Sequence, residues 1–375
     1  MLEQQYSKQY SVPVHLRERD HLVIAGGGLA GLELGLAAQL EGMRVTIYEP
    51  GQYDRSLIAT PWKKIDGKAF RPASWTAAGQ YYPYSVGGLK GGDEQKEIQM
   101  MTDTLEVYIA RQAISYYKET LKQMKSVQLV EGNPEMPLYL KELLSRMGPI
   151  LEIKGILENP LLLNSGWEFT TFEVNPSAYM IGLHDDFIEK GKDTGSVIIS
   201  KRIESLDELS ELPHQFIADC TGVDQALFQD DDIEKIKGHL LFFPNSSDFN
   251  SAIAAKDLIM VPRGDIISVG AMFIRQGKLT DSEPTTQETE YLINGMNELL
   301  NLEHKNLKKY HTTLKEEDIL GETTGFRPFR GGGPLVAFKD RNGIKVLQIK
   351  GLGGLGFTEA AGAAKFGIRL IKEKL

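Results

Sequence analysis

Residues 23–50, VIAGGGLAGLELGLAAQLEGMRVTIYEP, constrain the fold of this chain more than any other stretch. Residues 22 to 25 form a short, branched apolar run of the kind that fills a parallel strand covered on both faces. Gly26, Gly28 and Gly31 follow at G-x-G-x-x-G spacing. The first permits a tight turn, the second lets backbone approach a pyrophosphate, and the third lets the next helix pack closely on its strand. A helix starting near Leu29 would aim its free N-terminal amides, and the positive end of its dipole, at the same point. The run MRVTIYE reads as the next strand. It ends on Glu49, eighteen positions past Gly31, where a ribose hydroxyl pair calls for a carboxylate. An acid there speaks against a 2′-phosphate, which leaves FAD and NAD as cofactors; the motif does not separate the two.

With 375 residues the chain has room for about two domains. Its net charge of −9 argues against nucleic acid or an anionic membrane surface as the main partner, since both reward a clustered positive field. A small molecule is the expected partner, and a homo-oligomer is compatible with everything in the sequence. No apolar run approaches the roughly 20 residues needed to span a bilayer, and the first twenty residues carry acids without an apolar leader core. The expectation is a soluble, cytoplasmic protein. The one cysteine, Cys220, excludes an intrachain disulfide and any multi-cysteine metal site, and reads as a buried small hydrophobe in FIADCTGV. The seven histidines fall without ligand spacing, so no metal is expected.

Four further stretches bear on the choice of cofactor. They are ASWTAAGQYYPY (73–84), FIADCTGV (216–223), GFRPFRGGGPLV (325–336) and IKGLGGLGFTEAAGAAKFG (349–367). Together with the N-terminal fingerprint, and in this order, they resemble the landmarks of the D-amino-acid oxidase family of flavoproteins, over nearly the whole chain. The resemblance implies FAD. It also implies that Ala77, Ala78 and Gly79 line the flavin, that the Cys-Thr-Gly strand end closes on the adenosine side, and that Gly353, Gly354 and Gly356 lie by the isoalloxazine ring, with the Thr358 hydroxyl at its pyrimidine edge. Arg327 becomes the candidate for gripping a substrate carboxylate, with Arg330 a weaker second. The residues themselves agree: a glycine loop entering a long amphipathic helix offers free amides, and a guanidinium offers a planar fork that a lysine lacks.

The same order of landmarks sets the expected architecture, an α/β protein in two domains. A Rossmann-like FAD-binding domain on a parallel sheet is discontinuous, from 20–90, 175–230 and 325–375. A substrate domain on a mixed or antiparallel sheet comes from 91–174 and 231–324. HLLFFPN, DLIMVP and DIISVGAMF read as strands of that second sheet, and TTQETEYLINGMNELL and DELSEL read as helix. In the first insert, Met101, Leu105, Ile109, Ala113, Tyr116 or Tyr117, Leu121 and Met124 recur at helical spacing and predict one long helix with a buried stripe.

The implied reaction passes a hydride from the α-carbon of an amino acid or related amine to the flavin, and the imine then hydrolyses. Two positions depart from the family's pattern. Ile259 stands where its D-amino-acid oxidases carry a carboxylate-binding tyrosine, and Leu352 stands where the C-terminal loop carries histidine. Tyr81, Tyr82 and Tyr84 are candidate replacements for the missing hydroxyl, with a structural role beside Pro83 the favoured reading. An NAD-dependent dehydrogenase, and a flavin-binding scaffold without amine oxidase activity, are the alternatives.

Overall fold

The computed structural model describes residues 20–50, 73–83, 93–212, 214–224, 227, 232–245, 249–270, 272–275 and 283–375; Tyr84 and the first nineteen residues, on which two of the expectations bear, lie outside them. In chain order the strands are β1 (His21–Ala25), β2 (Arg44–Glu49), β3 (Leu121–Glu131), β4 (Leu151–Lys154), β5 (Leu163–Val174), β6 (Val197–Ser200), β7 (Phe216–Asp219) and β8 (Ile233–Pro244). They continue with β9 (Ser251–Ala255), β10 (Leu258–Arg263), β11 (Ile266–Gly270), β12 (Ile274–Arg275), β13 (Gly321–Arg330), β14 (Leu335–Arg341) and β15 (Ile344–Lys350).

Six of them form one sheet in the order β14-β15-β7-β1-β2-β6. Five run parallel, and β14 closes the edge antiparallel to β15. Asn342 and Gly343 make that turn with φ of 56° and 82°, the backbone that a two-residue hairpin needs. The strands come from three separate stretches of chain, so the parallel sheet is discontinuous, as expected. Both of its faces are covered, which is why β1 is apolar at every central position. Leu22 and Ile24 enter the core beneath the helices Leu29–Leu40, Pro176–Thr194 and Gly356–Lys372, while Val23 and Ala25 face a smaller core around Leu206 and Leu209.

The second sheet has nine strands in the order β12-β8-β11-β10-β9-β3-β5-β4, with β13 also paired to β8. β3 and β9 run parallel and the other named pairs antiparallel, giving the mixed sheet expected. Leu258 and Met260 face a core under the helix Thr286–Leu300, whose start is fixed by a reciprocal Thr285–Glu288 capping box. The alternate residues of β10, Ile259, Val261 and Arg263, face the other way, toward the six-stranded sheet.

The long helix predicted across the first insert is corrected by the structure. Helix runs only over Glu94–Gln112 and a single turn at Ser115–Lys118, and Leu121 and Met124 belong to strand β3. Ile109, assigned to the buried stripe, is 45% exposed, and of Tyr116 or Tyr117 it is Tyr117 that is buried. The stripe that is buried carries Met100, Met101, Thr104, Leu105, Tyr108 and Arg111. β3 escapes recognition because it lies inside the sheet with both faces covered: Val127 and Leu129 face one core and Met124 the other, so its apolar residues do not alternate. The helix Glu94–Gln112 crosses the C-terminal helix at backbone contact, where a Cβ on Gly362 would stand 1.9 Å from the Met100 carbonyl. No helix among the described residues is long and apolar enough to cross a membrane.

Candidate cofactor and substrate cleft

The glycines of the fingerprint serve different ends. Gly26 leaves β1 at φ 105°, and a Cβ there would stand 2.3 Å from the carbonyl of Cys220, the residue just past β7. A Cβ on Gly31 would stand 1.8 Å from the Gly26 carbonyl, so the helix lies directly on the turn. Gly27, which the motif leaves unspecified, has the Glu49 carboxylate against it, 2.4 Å from where a Cβ would be. Gly28 has none of these reasons. Its backbone is ordinary extended chain at φ −74° and ψ −171°, and the atom nearest to an added Cβ is Ser74 Oγ, 3.9 Å away. It opens onto a cavity of about 610 Å³, within the range of small-molecule sites. The adjoining helix starts at Leu29 without a side-chain cap, leaving its first amides directed there.

That cavity runs without a break from the fingerprint to the second sheet. Glu49, Ala77, Ala78, Gly79, Arg327, Gly353, Gly354, Gly356 and Thr358 all line it, as do Gly26 and Gly28; Gly31 does not. Glu49 is 8% exposed at the end of β2, and burial pushes its carboxyl up to about 7. The 77–79 turn is pinned on its far side. Val174 N–H donates to the Gly79 carbonyl at 2.9 Å, Tyr81 N–H to Phe172 at 3.0 Å, and the guanidinium of Arg263 to the carbonyls of both Ala77 and Ala78. The C-terminal loop is tied to the arginine strand by Gly353 N–H, which donates to the Pro328 carbonyl at 2.8 Å. Thr358 joins loop to turn: its hydroxyl accepts from Tyr82 N–H at 3.1 Å and donates to the Tyr82 carbonyl at 3.3 Å.

Arg327 lies flat over the backbone of Gly238 on the paired strand β8, where a Cβ would be 2.5 to 2.7 Å from the guanidinium atoms. Nη1 donates to the Met272 carbonyl at 2.8 Å, and Cζ sits 4.8 Å from the centre of the Phe273 ring, in cation–π range. The wall beside it carries Leu240, Ala254, Leu258 and Ile259. Arg330 points elsewhere, donating to the Gly333 carbonyl at 3.1 Å, and does not line the cavity. Tyr81 is also removed as a replacement hydroxyl: it is fully buried, and its OH donates to the Met101 carbonyl at 2.9 Å. Tyr82 does line the cavity, with its ring stacked on Phe169 at 5.9 Å.

Several residues here escape sequence reasoning. Lys350 and Asp219 form an ion pair at 2.7 Å with both side chains fully buried, and Asp219 also accepts from Thr221 N–H and Oγ. A charge inside the run VLQIK gives no sign of what it will meet. Cys220 is a free, buried thiol held well above its ordinary pKa by burial, which makes it inert. Among the described residues no cluster of side chains has the makings of a metal site.

A family model described as FAD dependent oxidoreductase matches residues 21–369. Three solved structures share the architecture over nearly their whole length. L-proline dehydrogenase from P. horikoshii gives a TM-score of 0.67 at 16% identity, covering 96% of this chain and 95% of that one. Glycine oxidase from Geobacillus kaustophilus gives 0.64 at 13%, covering 95% of each. Dithionite-reduced L-alpha-glycerophosphate oxidase from Mycoplasma pneumoniae, with FAD bound, gives 0.63 at 14%, covering 94% of each. At these identities the likeness is one of fold.

Proposed function

The chain belongs to the FAD dependent oxidoreductase family, with FAD rather than NAD as its cofactor, and from that premise we propose that it oxidises the C–N bond of a carboxylate-bearing amine, an amino acid or a secondary amine related to one. The observation that carries this reading is Arg327, spread on Gly238 in the wall of the cavity that begins at the fingerprint. The free space at Gly28 fits a pyrophosphate approaching the backbone, and Glu49 fits a ribose hydroxyl pair. Ala77, Ala78 and Gly79 on one side, and Gly353, Gly354 and Gly356 on the other, fit the faces and edge of a flat ring. Thr358 keeps the two sides in register through Tyr82. FAD, when bound, supplies a two-electron acceptor for the substrate's α-hydride. The protein's own part is orientation. Arg327 holds the carboxylate by its fork, while Leu240, Ala254 and Ile259 exclude water from the reacting carbon. With Ile259 in place of a hydroxyl-bearing residue, the arginine works without help from that position. The proposed division is 20–90, 175–230 and 325–375 for the cofactor domain and 91–174 and 231–324 for the substrate domain, with Arg327 reaching the substrate side because β13 pairs with β8 of the second sheet.

The test is the visible spectrum of the purified protein under anaerobic conditions, before and after adding D-amino acids, glycine, N-methyl amino acids and glycerol 3-phosphate. Bleaching by an amine supports the proposal. Bleaching by glycerol 3-phosphate alone, or by none of them, sinks it; the second outcome would leave the protein a flavin-binding scaffold.

Glu49 sets a pH dependence on cofactor retention. Ribose hydroxyls donate to a carboxylate, so the ionised form binds, and FAD should be held more tightly as pH rises through about 7. The protein without cofactor should move in the opposite direction. A carboxyl raised from 4.5 to about 7 by burial keeps its proton longer folded than unfolded, so its penalty on the fold builds between those values and is complete above them. Glu49→Gln should flatten both trends, read by flavin fluorescence against pH and by melting of the flavin-free protein.

A further inference from the structure

Arg263 is a buried cation that the proposed chemistry has not yet used. It closes β10 on the face turned toward the cavity, 6% exposed, with Cζ 5.5 Å from the centre of the Phe242 ring. Nε donates to the Ala78 carbonyl at 3.2 Å and a terminal nitrogen donates to the Ala77 carbonyl. Neutral carbonyls satisfy hydrogen bonds but do not balance charge. Glu173 is the carboxylate that acts on it through space, and among the described residues no carboxylate comes within ion-pair distance. Glu173 is a poor counter-ion at neutral pH, since burial pushes its own carboxyl up to about 7. Burial lowers the guanidinium only to about 10, so it remains charged. A buried charge that no group among the described residues balances is costly, and its field is weakly screened. Ala77 and Ala78, whose carbonyls it grips, line the cavity on their other side.

We infer that Arg263 is a positioning residue with a second role: it fixes the Ala77–Ala78 wall and places a permanent positive charge behind it that favours the reduced over the oxidised flavin. The inference rests on the reading that the flavin ring lies against that wall. A hydride carries one proton and two electrons, so a flavin that accepts it gains one negative charge, and a fixed cation one peptide layer away lowers the energy of that state.

The holoprotein is titrated anaerobically with dithionite beside Arg263→Gln and Arg263→Lys. Glutamine keeps a donor for one carbonyl and removes the charge, and it should make the flavin harder to reduce by at least tenfold in the two-electron equilibrium, about 30 mV. Lysine keeps the charge without the fork, and should hold the potential near that of the parent while loosening flavin retention. Glu173→Gln, titrated at pH 8.5 where the carboxylate is ionised, removes an opposing charge and should shift the potential upward; it carries the test if the glutamine variant does not fold. Parent and Arg263→Gln reducing at one potential, lysine shifting as far as glutamine, or Glu173→Gln leaving the potential in place would each overturn the role of the charge. Dithionite supplies the electrons, so a protein that binds FAD yet bleaches with no amine fails the proposed reaction and not this inference.

Discussion

Gly28→Ala should yield a folded protein that has lost its grip on FAD. The other glycines of the turn are required by the protein itself: Gly26 by a φ of 105°, Gly31 by a carbonyl 1.8 Å from any added Cβ, and Gly27 by the carboxylate of Glu49. At Gly28 a methyl group meets nothing closer than 3.9 Å and the backbone is already extended, so alanine costs the fold little. In the proposed site it stands where a pyrophosphate would approach the amides of Gly28 and of the helix start. Moving the phosphates back by the depth of a methyl group stretches several charge-assisted hydrogen bonds at once, each contributing about 1.5–3 kcal/mol. Loss of only one unit at the top of that range is roughly a hundredfold in Kd. Gly31→Ala should behave in the reverse sense, with melting lowered sharply as the helix is pushed off its turn. The measurements are the flavin absorbance retained per protein after gel filtration and the melting temperature of both variants. Full flavin content in Gly28→Ala would mean that the cofactor does not approach here.

What the sequence disclosed about this site follows the range of the interactions involved. The fingerprint is legible because turn, helix start and terminal acid are consecutive in the chain, each with its own local signature. The remaining walls are legible only as landmarks that resemble a family, since Ala77, Arg327 and Gly353 are brought together by sheet pairing that no single sequence prints. The residues that were missed are all defined by partners distant in the chain. Gly238 is a glycine because Arg327 lies on it from the next strand, Arg263 finds its carbonyls 185 and 186 positions earlier in the chain, and Lys350 meets Asp219 across two parallel strands. Tyr81 takes the structural role for the same reason, because the carbonyl that claims its hydroxyl belongs to a helix in the first insert. The misreading of 113–124 is a matter of period. A strand covered on both faces loses its alternation, and Leu121 and Met124 then fall on helical spacing by chance.

Arg327→Leu should raise KM for the carboxylate substrate by at least about thirtyfold and leave flavin content unchanged. Removing one partner of a buried, hydrogen-bonded charge pair costs about 2–5 kcal/mol, and the low end of that range is already thirtyfold. The expected selectivity is more informative than the size. Amines without a carboxylate never used the fork, so their kcat/KM should change little, and the ratio between the two substrate classes should collapse. Arg327→Lys should recover part of the loss, because an ammonium restores the charge without the planar pair of donors. Gly238→Ala tests the same geometry with every charge retained: its methyl group would fall 2.5 Å from Nη2 and 2.6 Å from Cζ, which forces the guanidinium up from its bed. If that variant raises KM for carboxylate substrates alone, then the position of the fork, not merely its charge, selects the substrate. If both variants turn over the carboxylate amine as the parent does, Arg327 is a strand residue bonded to Met272, and the carboxylate must be held elsewhere in the cavity.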